Sequence, residues 1–194
     1  MQGDAKMKIR GMFGHTLGLL LLLSFATHGQ DKSNSDFKFV GAKACKACHL
    51  IDKTGAAFKK WEASPHAKAF EVLASPEALK IAKAKGIEDP QKADACLKCH
   101  DTAHGVAAAK LASTFKPGEG VGCEVCHGPG SAYKSMKVKQ DIVAGKIKPE
   151  SVGLMKGDEA LCKTCHNAES PTFKAFDFKT FYAKIAHEKP KAAK

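Results

Sequence analysis

The chain has 194 residues, 44% hydrophobic and 26% charged, with 31 Lys and Arg against 20 Asp and Glu for a formal net charge of +11. Its one arginine is Arg10 and no basic stripe is interleaved with aromatics, which argues against nucleic-acid binding. From residue 30 onward Leu, Ile, Val and Phe number 30 of 165, or 18%. That falls under the ~20% at which a highly charged chain fails to build its own core, so something besides these side chains has to supply an interior.

Lys6, Lys8 and Arg10 lead into the ten-residue apolar run 17–26, with small residues at Ser24, Ala26 and Gly29 as cleavage points. This pattern predicts an export signal over 1–29, with Met7 as an alternative start. The run is about half the ~20 residues of a membrane-spanning helix, so no stable membrane anchor is expected. The expected location is periplasmic or extracellular. Residues 30–41 read as a flexible polar arm, 42–188 as one domain and 189–194 as a basic tail. Beyond residue 29, 28 lysines face 19 acidic side chains, a balance of +9. Such a surface is either simply solvated or a docking face for acidic redox partners.

The domain opens on Cys45-Lys-Ala-Cys48-His49, and the same Cys-x-x-Cys-His pattern returns at Cys96/Cys99/His100, Cys123/Cys126/His127 and Cys162/Cys165/His166. Together the four copies use all eight cysteines. Two thiols one helical turn apart can take the two vinyl groups of a haem while the next histidine meets its iron. Cys₄ zinc sites or dithiol redox centres explain a lone pair as well, but not why histidine follows the second cysteine every time. The cofactors expected are four covalently bound haem c. If each buries ~400 Å² of apolar surface it contributes on the order of 10 kcal/mol, so the cofactor stands in for the missing core and the haem-free chain is expected to be largely unfolded.

Between the motifs the elements read as short helices. Ser64-Pro65 resembles an N-cap with proline at the first helical position, putting His66, Phe70 and Leu73 on one face. Ser75-Pro76-Glu77 opens a second helix that should stop at Gly86. The third motif is framed by Gly120, Gly122, Gly128 and Gly130, which suits either close backbone approach near crowded cofactors or a tight surface turn. Residues 133–157 are lysine-rich and poorly patterned. After Ser170-Pro171, Phe178, Phe181, Tyr182 and Ile185 keep helical spacing, while His187 falls on the opposite side; either the helix has two working faces or it ends before His187. The fold class expected is mostly α, short helices and loops wrapped around four c-type haems, with little or no sheet.

Four proximal histidines, His49, His100, His127 and His166, leave four distal positions, and only His66, His104 and His187 remain to fill them. His66 and His187 lie in aromatic-rich stretches able to cover a haem face. His104, read as one helical turn beyond His100, cannot reach the far side of the same iron and must serve a neighbouring haem or none. Met136 and Met155 are the methionines left; Met155 reads as packing, and Met136 competes as a ligand. At least one iron is thus at risk of staying five-coordinate.

With these residues in view, Trp61-Glu-Ala-Ser-Pro-His66-Ala-Lys-Ala-Phe70 and Gly120-Val-Gly-Cys-Glu-Val-Cys-His127-Gly-Pro-Gly130, in order with the four motifs, resemble the tetrahaem cytochrome c-554 family over about residues 40 to 190. The resemblance implies haems stacked first with third and second with fourth. It implies His66 as distal ligand opposite His127, His187 opposite His166, and an open second haem on His100. The family's ligand to the first haem is a histidine about ten residues past the third proximal histidine, and here that place falls on Met136 or Lys137. The first haem is left to Met136, then His104, then another chain, or to no ligand. The expected function is relay of single electrons between redox donor and acceptor proteins. Two rivals are kept: a redox enzyme acting on nitric oxide, nitrite or hydroxylamine at an open haem, and an extracellular cytochrome filament subunit.

Overall fold

Helices this short do not hold in water alone, since segments under ~12–15 residues are marginal without tertiary support. In the computed structural model, which describes residues 36–187, the longest helix has nine residues. The chain divides into two units, Met1–Asp31 and Lys32–Lys194, and the described residues belong to the second. The expected export signal, the start of the arm and the tail from 189 lie outside the described residues.

Among the described residues eight α-helices are joined by turns and five short 3₁₀ segments. In chain order they are α1 Lys43–His49, α2 Ala57–Glu62, α3 Pro76–Ala84, α4 Asp94–His100, α5 Cys123–His127, α6 Met136–Val143, α7 Glu159–Lys163 and α8 Phe178–Ile185. Among the described residues the β pairing is one isolated parallel bridge, Phe39 with Leu111, as the mostly helical reading expects. It is closed by Phe39 N–H to Lys110 O and Ala112 N–H to Phe39 O, both 2.8 Å.

Local signals are obeyed unevenly. Ser75 caps α3, its hydroxyl accepting from Ala78 N–H at 3.2 Å, and the chain turns at Gly86 with φ +68°. Ser64 also precedes a helical turn with proline first, but that turn is 3₁₀, Pro65–Lys68, and the Ser64 hydroxyl makes no cap. Instead Ser64, buried, donates back to Trp61 O at 2.7 Å.

The buried apolar set is small: Val40, Ala42, Phe58, Ala69, Leu73, Ala82, Leu97, Phe115 and Tyr133. What ties the chain together is a polar knot around Glu124, only 2% exposed. Its Oε1 accepts from Val40 N–H at 2.8 Å and Gly130 N–H at 2.6 Å, and its Oε2 from Gly41 N–H at 2.8 Å. A carboxylate satisfied by backbone donors on both sides is a strong anchor, since hydrogen bonds to a charged group contribute about 1.5–3 kcal/mol. Tyr133 closes the same knot, donating to Gly128 O at 2.7 Å. Within the stretch 30–41 read as an arm, Val40 and Gly41 donate to Glu124 and Phe39 bridges to Leu111.

Candidate metal centres

Three of the four motifs are short helices whose last residue is the proximal histidine: α1, α4 and α5 end at His49, His100 and His127. In each the two cysteines are three apart and share a side of the helix, with histidine next in line. The fourth differs slightly. Helix α7 ends at Lys163, yet His166 N–H still bonds Cys162 O at 2.9 Å, so the turn continues through the motif.

The fold brings the attachment thiols together across long stretches of chain. Cys45 of the first motif neighbours Cys123 of the third, and Cys99 of the second neighbours Cys165 of the fourth. As thiols they perturb one another: the neighbouring Cys123 holds Cys45 below the ordinary thiol range. The neighbouring Cys45, then burial, push Cys123 up. Burial, then the charge of Cys165, raise Cys99 to about 11. Cys126 is raised by burial and by the charges of Cys162 and Cys165, which links the third motif to the fourth. The first motif thus lies beside the third, and the second beside the fourth.

Two of the motif histidine rings are fixed by backbone carbonyls. His100 Nδ1–H donates to Ala69 O at 2.6 Å, and His127 Nδ1–H to Met155 O at 3.3 Å. A carbonyl on Nδ1 sets the tautomer and leaves Nε2 as the free donor atom, the usual arrangement of a ligating histidine. His166 stacks on Phe176, centroids 4.8 Å apart and planes 15° from parallel. Burial, the largest cause in each case, lowers the pKa of His49, His127 and His166, favouring the neutral imidazole that ligation needs.

Two further histidines face proximal ones. The His66 and His166 rings lie 6.0 Å apart, centroid to centroid, and those of His127 and His187 5.8 Å apart. With about 2 Å per metal–nitrogen bond, two imidazoles on opposite sides of one iron have centroids roughly 6 Å apart. Both pairs match that span, so the donor set fits covalent haem with a second histidine. The resemblance implies His66 as ligand opposite His127 and His187 opposite His166, whereas the rings that face are His66 with His166 and His187 with His127. The His66 carbonyl accepts from Val121 N–H at 2.9 Å, so His66 meets the third-motif loop through its main chain while its ring faces the fourth. His187 follows from the end of α8 at Ile185, where Ala186 leaves the helix with ψ 130° and carries the next residue to His127. Of the two readings offered for that helix, it ends before His187.

The remaining candidates fall elsewhere. His104 is not a turn further along the helix that carries His100, because α4 stops there and Asp101 is extended; its Nε2 pairs with Asp94 Oδ1 at 3.0 Å. Met136 starts α6 with half its surface exposed. Met155 contributes backbone, its carbonyl accepting from His127 and its N–H bonding His127 O at 3.0 Å. Sequence reasoning passed over two residues at this site. Glu124 was visible only as the variable letter inside a motif. Lys139, one of 28 lysines after residue 29, places its Nζ 2.6 Å from His49 Nε2.

The family model described as "Cytochrome c554 and c-prime" matches residues 44–128, which hold the first three motifs. Cytochrome c-554 of Nitrosomonas europaea is 32% identical over 161 residues, covering 77% of this chain and 66% of that protein, so the chain spans a little under two thirds of that relative's length. No solved structure matches the chain.

Proposed function

The chain belongs to the cytochrome c-554 family, and on that footing we propose that it is an exported tetrahaem c-type cytochrome that relays single electrons between redox partners. The observation that carries this reading is the facing of histidine rings from different parts of the chain, His66 with His166 at 6.0 Å and His127 with His187 at 5.8 Å, beside motif cysteines that neighbour one another. Haem supplies the one-electron couple, at a potential set by axial ligand, burial and nearby hydrogen bonds. The chain's own task is positioning. Cys45, Cys48, Cys96, Cys99, Cys123, Cys126, Cys162 and Cys165 hold the four groups covalently. His49, His100, His127 and His166 offer Nε2 from one side, with His187 facing His127 and His66 facing His166.

Because electron tunnelling falls off exponentially with gap, groups held side by side on neighbouring cysteines would form a continuous path. Single-electron transfer asks no more of the fold than that. Partners are redox donor and acceptor proteins, and the lysine-rich surface favours acidic docking faces among them. Among the described residues no helix is long and apolar enough to cross a membrane.

Intact mass combined with reductive titration tests the reading: four haem adducts and four electrons taken up per chain are expected. Fewer than four of either overturns it. A second reading, reduction or oxidation of nitric oxide, nitrite or hydroxylamine at an open iron, is favoured by one observation. The histidine rings that face a motif histidine among the described residues are His66, at His166, and His187, at His127, which leaves His100 without a facing ring. Turnover of those molecules by the purified protein, set against the high-spin fraction of its spectrum, separates the two.

A further inference from the structure

We propose that Lys139 is the distal axial ligand of the first haem, opposite His49, so that this centre is a histidine–lysine pair. The inference rests on the tetrahaem reading above and concerns one of the two centres, those of His49 and His100, that no second histidine ring faces among the described residues.

The geometry is direct. Ser135 caps α6 by accepting from Val138 N–H at 3.3 Å, and the helix that follows displays its side chains with a 3.6-residue period. Met136 and Val143 point outward, 51% and 89% exposed. Lys137 turns along the helix to Asp141 Oδ2 at 2.7 Å. Lys139 alone among these turns inward, half-buried, with Nζ facing His49 Nε2 at 2.6 Å. Its Nζ lies on the atom that the motif presents to iron. The same facing arrangement recurs at His66 with His166 and at His127 with His187, so Lys139 fills at the first motif the place that a second histidine fills at the third and fourth.

The contact of the Lys139 Nζ is an imidazole nitrogen rather than a carboxylate, and as a neutral amine it would offer its lone pair to iron. Ligation releases one proton from Nζ to solvent as that lone pair forms the bond to iron, and no electron is transferred. At about 2 Å per metal–nitrogen bond the two nitrogens must separate to roughly 4 Å, and the flexible four-carbon stem of lysine takes up the difference.

The test uses the holoprotein, its four haem adducts verified by mass, and electron paramagnetic resonance of the oxidised form. Lys139→Ala is expected to convert one low-spin iron in four to high spin, and added imidazole to return it to low spin. Lys139→His should keep every low-spin iron but change one signal to the bis-histidine type. Lys137→Ala should leave the spectrum as it was. Four haems with an unchanged spectrum in Lys139→Ala, or conversion by Lys137→Ala instead, overturns the assignment while leaving the electron-carrier reading intact; fewer than four adducts in the unsubstituted protein sinks that reading itself. If the Ala variant does not mature, Lys139→Met decides: one altered low-spin signal and a raised potential at one haem support ligation, and unaltered signals exclude it.

Discussion

Replacing Glu124 by alanine removes the acceptor of three backbone N–H groups, those of Val40, Gly41 and Gly130, from a side chain that is 2% exposed. Each orphaned buried donor costs about 1–3 kcal/mol. Allowing for some relief by water, the sum is about 3–6 kcal/mol, a large share of the ~5–15 kcal/mol that holds a domain together. Glu124→Gln is the sharper probe. Its one oxygen can keep Val40 and Gly130, which share Oε1, but its amide then faces Gly41 N–H, donor against donor, where Oε2 accepts at 2.8 Å. A loss of about 2 kcal/mol is expected. Guanidinium unfolding of the holoproteins, followed by circular dichroism and compared at equal slope, reads both values. Limited proteolysis should cut both variants within 36–41 before the parent. An alanine variant within about 1 kcal/mol of the parent would show that water or the haem groups carry this region, and the account of the knot would be wrong.

Three other outcomes are expected. Gly120→Ala places a Cβ 2.6 Å from His66 O at a backbone φ of +75°, which should cost at least about 2 kcal/mol and disturb the low-spin signal of the His66 centre before any other. His66→Ala should shift the paramagnetic resonances of His166 and His187→Ala those of His127; the opposite pattern would restore the pairing implied by the family resemblance and refute the facing distances. Expression without haem attachment should yield a chain with no cooperative thermal transition, because its buried apolar set is so small; a sharp calorimetric peak from haem-free material contradicts that.

The legible part of this molecule was whatever the chain writes within a few residues. Cysteine, two spacers, cysteine and histidine define each motif because helix geometry alone puts the three side chains in reach, and α1, α4 and α5 end on their histidines as that spacing requires. Ser75 with Pro76 marked a helix start that the structure keeps. The same letters at Ser64 and Pro65 opened only a 3₁₀ turn, since the Ser64 hydroxyl is taken by Trp61 O. His104 went astray because a helix was extended past its actual end at His100.

Sequence by itself determined the cofactor class, the four Cys-x-x-Cys-His motifs and the scarcity of an apolar core. Tertiary structure alone decided which distant side chains meet: His66 with His166, His187 with His127, Lys139 with His49, and Glu124 with the amides of residues 40, 41 and 130. The reason is physical. Those meetings are set by main-chain docking, such as Val121 N–H on His66 O, and a backbone hydrogen bond between remote segments is made by groups that every residue but proline carries, so it leaves no letter to read.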